Sequence, residues 1–305
     1  LERDNQPRLN LPKRRRDSLV EIVPISHGCL SSCTFCKTKH ARGQLYSYPV
    51  EDIVRHVSSV AAEGVQEIWL TSQDCSAYGF DIGKTLPELL EALCSINREF
   101  KIRVGMGNPD HFLEILDDFI AVMRNPKIYR FAHVPVQAGN NEVLQAMKRE
   151  YTVEQYEYII ERLRESFPLI NITTDIICGY PTETEDAFED TLALMRRTPT
   201  DNVNISRYWP RPGTPAAKLK PLAGGEVKRR TRLVTQAYNE MALRLNSRWK
   251  HWTGPVRIME AGKGSSWVAR NDYYKQVVLK VQDLSPGDLT NIRVADTTAV
   301  DLRAG

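Results

Sequence analysis

Between about residues 20 and 209, short apolar runs that read as strands alternate six times with amphipathic runs that read as helices. This alternation restricts the fold more than any other feature of the chain. A helix between two strands returns the backbone to the same end of the sheet, so successive strands pair in parallel. The strands are expected at 21–25, 67–71, 102–106, 129–136, 172–178 and 203–209. Between them, Ile53, Val54, Val57, Val60 and Ala61 recur at helical spacing after Pro49, with Gly64 as a stop. Further helices are expected at 86–96 and 111–123. Thr152-Val153-Glu154-Gln155 is a capping box for a helix that turns Tyr156, Ile159, Ile160 and Leu163 inward. Thr182-Glu183-Thr184-Glu185 is expected to cap another, with Phe188, Leu192 and Met195 on its face. All strand C-terminal ends then open on one side, where α/β proteins gather their chemistry.

Cys29, Cys33 and Cys36 stand at CxxxCxxC spacing in the loop that follows the first strand. Three thiolates on one short loop can hold a soft metal group. An iron–sulfur cubane with three protein ligands keeps one iron open, as a catalytic site requires. Zinc completed by His27 or His40 is the competing reading, although no second cysteine pair is present. Spacing alone leaves both open. Three cysteines cannot all pair locally as disulfides, and six in 305 residues fit a reducing compartment better than a disulfide framework. The chain has 42% hydrophobic and 26% charged residues and no apolar run of about 18 residues, so a cytoplasmic protein without a membrane partner is expected. A net charge of +3 permits a nucleic-acid partner without requiring one.

Beyond the six repeats, residues 225–249 read as a helix carrying Lys228, Arg229, Arg230, Arg232, Arg244 and Arg248. Short alternating runs at 256–259, 266–268, 276–279 and 291–294 follow, and suggest a five-stranded barrel. Residues 1–18 are basic and contain two prolines. They are expected to be a linker from a missing N-terminal domain, ahead of a core over 19–224, a connecting helix over 225–250 and a small barrel over 251–305.

Ile25-Ser26-His27-Gly28 followed by the three cysteines resembles the cluster loop of the radical S-adenosylmethionine (SAM) superfamily. Downstream, His133-Val134-Pro135-Val136-Gln137, Met147-Lys148-Arg149-Glu150-Tyr151, Asp175 to Thr184, and Arg211-Pro212-Gly213-Thr214-Pro215-Ala216 resemble the radical SAM methylthiotransferases. Tyr180 and Thr182 stand where the family pattern has Phe and Gly. The run Cys36 to Gly43, with Lys37, Lys39, His40 and Arg42, is similar to the archaeal and eukaryotic branch that acts on N6-threonylcarbamoyladenosine (t6A).

The resemblance implies a partial (β/α)6 barrel followed by a TRAM-like RNA-binding barrel over 251–305. It implies a 4Fe–4S cluster on Cys29, Cys33 and Cys36, and SAM cleaved to a 5′-deoxyadenosyl radical. The implied SAM contacts are Phe35, Thr71, Ser72, Gln73, Gln137, Arg149, Asp175 and Gly179. The implied reaction converts t6A at position 37 of the tRNA anticodon loop to 2-methylthio-t6A, with electrons from a flavodoxin- or ferredoxin-type donor. Lys37, Lys39, His40, Arg42, Arg211, Arg229, Arg230, Arg257 and Arg270 are the expected tRNA contacts. Isopentenyladenosine in tRNA, a ribosomal protein, and a non-catalytic tRNA-binding module are the alternatives. The family's second 4Fe–4S cluster is expected on the missing domain, since Cys75, Cys94 and Cys178 do not match its pattern. Anaerobic reconstitution is therefore expected to load about four iron atoms per chain; a count near eight, measured by iron and sulfide assay, contradicts it.

Overall fold

The computed structural model describes Leu9, Arg15, residues 17–281 and residues 283–304, so most of the expected linker lies outside the described residues. The alternation folds as expected into six parallel strands: β1 (Val20–Pro24), β2 (Glu67–Thr71), β3 (Lys101–Arg103), β4 (Phe131–His133), β5 (Asn171–Cys178) and β6 (Asn202–Arg207). β1, β2 and β3 pair in one ladder, β4, β5 and β6 in another. Parallel bridges Ile102↔Ile128 and Met106↔His133 join the two halves. Among the described residues β1 and β6 do not pair, so the cylinder stays open between them.

The helices are α1 (Thr38–Arg42), α2 (Val50–Ala62), α3 (Leu86–Cys94), α4 (Pro109–Glu114), α5 (Leu116–Met123), α6 (Asn141–Ala146), α7 (Val153–Ser166), α8 (Glu185–Arg197) and α9 (Gly224–Ser247). Side-chain caps fix several starts. Thr85 and Glu88 form a capping box on α3, and Thr152 and Gln155 form the expected one on α7. The cap of α8 is Thr184, whose hydroxyl accepts from the Ala187 N–H at 3.2 Å.

Two elements depart from expectation. The helix expected over 111–123 divides at Ile115, which leaves helical dihedrals while Phe112, Ile115, Leu116 and Phe119 all stay in the core. The strand expected over 129–136 shrinks to three residues. Pro135 has no N–H to give to the ladder, and beyond it Gln137 takes a positive φ of 70°.

The last strands are β7 (Thr253–Ala261), β8 (Trp267–Asn271), β9 (Gln276–Leu279), β10 (Leu289–Thr297) and β11 (Leu302–Ala304). They close into a TRAM-like barrel in the order β8-β9-β11-β10-β7 around Val256, Ile258, Val277, Leu279, Val294 and Leu302. The short β11 has no run of its own that marks it in the sequence.

This barrel docks on the N-terminal ends of the core strands, away from the cysteine loop. Lys101 pairs with Asp272 at 2.6 Å, Lys275 with Asp201 at 3.0 Å, and the Asn171 amide donates to the Tyr274 carbonyl at 3.3 Å. The centre of the seam is Glu67, fully buried at the start of β2. Its carboxylate accepts from the Trp69 indole at 2.9 Å, the Tyr129 hydroxyl and the Arg270 guanidinium. Removing one partner of a buried ion pair strands the other charge. Glu67→Ala is expected to lower unfolding stability by about 3–5 kcal/mol in urea titration. A loss under about 1 kcal/mol would assign the seam to its apolar contacts instead.

Candidate active site

The cysteine loop begins where β1 ends, at the side of the sheet onto which all six strands open. Gly28 makes its entry possible: φ is +77°, and a Cβ there would lie 1.7 Å from the Gln44 carbonyl oxygen. The middle of the loop is fastened to α6. The Thr34 N–H donates to the Met147 carbonyl at 3.0 Å, and its hydroxyl donates to the Ala146 carbonyl at 2.9 Å. Tyr180 adds its hydroxyl to the same knot, 2.8 Å from the Thr34 hydroxyl and donating to Ala146 at 2.9 Å. A phenylalanine at 180 has no group for these bonds. From the far side of the opening, the Ala216 N–H donates to the Thr34 carbonyl at 3.0 Å.

Cys29, Cys33 and Cys36 are free, partly buried thiols. Burial, with help from Asp74, pushes Cys29 up to about 11. Burial also raises Cys33, against the pull of Arg149. Metal loading must therefore displace protons from sulfur. Donors already face two of the sulfurs: Arg149 Nη1 reaches Cys33 Sγ at 3.0 Å, and the Thr38 N–H reaches Cys36 Sγ at 3.3 Å. The other three cysteines stand apart, Cys75 and Cys178 buried in the core and Cys94 at the end of α3. The histidines of the zinc reading have other partners, His27 packing on Tyr46 and Tyr48 and His40 bonding Lys37 at 3.0 Å.

Arg149 is the link between the loop and the neighbouring strand ends. It is buried, donates through Nε to the Tyr151 hydroxyl at 3.1 Å and through Nη2 to Asn108 Oδ1. Asn108 in turn donates to Asp74 Oδ2 at 2.9 Å and to the Ser31 hydroxyl at 3.2 Å. Asp74 also accepts from Ser76 Oγ and from His111 Nδ1, each at 2.6 Å. Its burial opposes ionisation, yet these bonds hold it below the usual carboxylate value. Burial likewise opposes charge on His111, but Asp74 raises it above the ordinary 6.5. The pair is ionic.

Of the expected SAM contacts, Phe35, Gln137 and Asp175 line one cavity of about 210 Å³ with Trp209 and Arg211. Asp175 accepts there from His133 Nε2 at 2.9 Å and Asn204 Nδ2 at 2.7 Å. Thr71, Ser72 and Gln73 form the exit of β2; Ser72 bonds Ser26 Oγ, and the buried Gln73 Oε1 has no hydrogen-bond partner among the described residues. Gly179 departs from expectation. Its N–H is held by Glu183 Oε2 at 2.8 Å, and Val227 of α9 covers its open face.

The expected tRNA contacts divide. Arg42 and Arg211 are exposed and make no ion pair among the described residues. Lys39 straps the cysteine loop, donating to the Leu30 carbonyl at 2.7 Å, and Lys37 faces His40. Four arginines need correction. Arg230 is buried against Glu183 and Glu226, and Arg229 pairs with Glu185 and Glu226, so α9 uses both to hold α8. Arg257 bonds Gln66 and the Gly287 carbonyl, and Arg270 bonds Glu67, so both belong to the seam beneath the core. Asn108 and His111 were not singled out by the sequence, although Asn108-Pro109 follows the third strand, where a site residue is expected.

The radical SAM superfamily pattern matches residues 23–195. The probable threonylcarbamoyladenosine tRNA methylthiotransferase of Pyrococcus abyssi is 42% identical over 294 residues, 96% of this chain and 69% of that protein. This chain belongs to the radical SAM superfamily. The threonylcarbamoyladenosine tRNA methylthiotransferase of Drosophila pseudoobscura pseudoobscura is 44% identical over 95% of this chain and 52% of its own length. The radical SAM chain thus spans about half the length of that relative. Among solved structures, the radical SAM methyltransferase TsrM of Kitasatospora setae matches with a TM-score of 0.54 at 18% identity, over 65% of this chain and 38% of that one. Coproporphyrinogen III oxidase of Escherichia coli matches with 0.52 at 18%, over 73% and 54%. At these identities the likeness is one of fold. Family membership carries with it a 4Fe–4S cluster and SAM, and the residues fit: three free thiols on one loop, donors at two sulfurs, and an orphaned amide oxygen at Gln73.

The Asp74–His111 pair gives the metal-free chain a pH signature. A histidine raised on folding contributes stability that is complete below its unfolded value near 6.5 and disappears as pH rises through its folded value. The thermal midpoint of wild type is expected to fall across that window relative to His111→Gln, measured by tryptophan fluorescence. Parallel pH profiles for the two proteins would remove the ion pair from the account.

Proposed function

We propose that the protein is the catalytic core of a tRNA methylthiotransferase that converts t6A at position 37 of the anticodon loop to 2-methylthio-t6A. The observation that carries this reading is the Cys29–Cys33–Cys36 loop, bound through Arg149 and Asn108 to the ends of neighbouring strands, in a chain 42% identical to a protein named for this activity. Cys29, Cys33 and Cys36 would hold a 4Fe–4S cluster, which when bound supplies the electron for reductive cleavage of SAM.

The residues of the chain divide the remaining work. Arg149, positive beside Cys33, steadies negative charge on the sulfur and fixes the loop against β3 and α6. Thr71, Ser72 and Gln73 offer polar groups to the methionyl end of SAM, and Gln73 brings an acceptor with no protein partner. Phe35, Gln137 and Asp175 enclose the adjoining cavity, where Asp175 is positioned to accept from a ribose hydroxyl. Phe35 and Tyr208 line the same cavity, where their rings would limit the access of water to a bound cofactor.

A flavodoxin- or ferredoxin-type electron donor, a second 4Fe–4S cluster elsewhere in the full protein and a cytoplasmic location complete the reading. Among the described residues no helix is long and apolar enough to cross a membrane.

Nucleoside mass spectrometry of tRNA from cells with the gene deleted tests the reaction and substrate together. The expected result is loss of 2-methylthio-t6A with accumulation of t6A. Complementation should succeed with wild type and fail with Cys33→Ala. An unchanged tRNA profile overturns the assignment to t6A.

A further inference from the structure

The cavity beside the cysteine loop continues out of the core. Arg207, at the end of edge strand β6, lines both that cavity and an open groove of about 770 Å³ along α9. The groove is walled by Lys228 and Arg232, four residues apart on the exposed side of α9, with Thr235 and Asn239 beyond. Among the described residues, Arg207, Arg211, Lys228 and Arg232 make no ion pair, whereas Arg230 and Arg229, which also lines the groove, are paired with glutamates. Helix α9 therefore gives the groove one neutralised cation, Arg229, and two open ones, Lys228 and Arg232. Glu240 is the one acid among the groove's lining residues, and it bonds Gln236.

At the junction stands Trp209, 76% exposed, the most exposed large apolar side chain among the described residues. Next to it Tyr208 lines the cavity, nine-tenths buried, with a hydroxyl that has no hydrogen-bond partner among the described residues. An exposed aromatic face followed by unpaired cations along a groove is how single-stranded nucleic acid is held, with bases on the ring and phosphates on the charges.

We propose that this surface guides the substrate RNA strand into the cavity. Trp209 stacks a base next to the modified one, and Arg207, Lys228 and Arg232 track the adjoining phosphates. The proposal rests on the reading that the chain acts on RNA, and adds where the strand lies. It also accounts for two opposed placements. The barrel occupies the closed end of the core through Glu67 and Arg270, while the groove starts at the open end, where the cysteines are.

The test is binding of the full reconstituted chain to a labelled RNA hairpin with an anticodon-type loop, by fluorescence anisotropy over a salt series. Arg207→Ser/Lys228→Ser/Arg232→Ser is expected to weaken binding by more than tenfold at low salt. It should also reduce the slope of log Kd against log salt by about two, near 0.7 per lost contact. Trp209→Ala should weaken binding roughly tenfold, and Trp209→Phe should retain most of it. Arg207→Lys/Lys228→Arg/Arg232→Lys, which keeps the charges, should bind as wild type does and controls for folding. If wild type binds and the serine variant matches it in affinity and slope, the groove is overturned while the RNA reading stands. If wild type binds no RNA, the RNA reading fails and takes the groove with it.

Discussion

The buried carboxylate of Asp74 is the constraint on which the open end of this molecule depends. A lone charge at that depth is strongly unfavourable, and it is tolerated because Ser76, Asn108 and His111 all donate to it. Once Asn108 is committed in this way, its carbonyl oxygen faces Arg149, and Arg149 is aligned on Cys33. One ionised group at the exit of β2 thereby sets the position of a guanidinium contributed by the segment after α6, and through it a sulfur on the loop after β1. Three separate stretches of chain acquire a fixed geometry before any metal arrives.

The two ends of the core carry different kinds of charge. At the closed end, Glu67, Asp201 and Asp272 meet Arg270, Lys275 and Lys101, and each cation is neutralised in the seam with the barrel. At the open end several cations have no acid partner among the described residues, and two of the buried polar atoms without a hydrogen bond there, Gln73 Oε1 and Tyr208 Oη, lie near the strand exits. Neutralised charge holds parts together; uncompensated charge and orphaned polar atoms mark a place for a ligand.

The sequence made the strand–helix alternation legible because apolar period and capping are local. Thr152 with Gln155 needed only four adjacent residues to announce α7, and the cysteine spacing is likewise written in one loop. The division of α4 from α5 was not legible, since it answers to packing of Phe112 on Phe119 and not to any breaker at Ile115. Charge roles were the least legible of all. Arg229 and Lys228 are neighbours in sequence and both line the groove, yet Arg229 is neutralised by Glu185 while Lys228 makes no ion pair among the described residues, a difference set by a partner more than 40 positions away. Arg270 is farther still from Glu67, and nothing around it in the sequence distinguishes a seam arginine from a phosphate contact.

The opening between β1 and β6 has a mechanical consequence. A closed cylinder has a mouth whose width is fixed by its ladder, and widening it breaks many hydrogen bonds at once. Among the described residues the two flanks meet across the gap through one backbone bond, from Ala216 to Thr34, and through side-chain contacts. Spreading the two flanks apart would therefore break no ladder hydrogen bond. Both three-stranded ladders stay complete on either side of that seam.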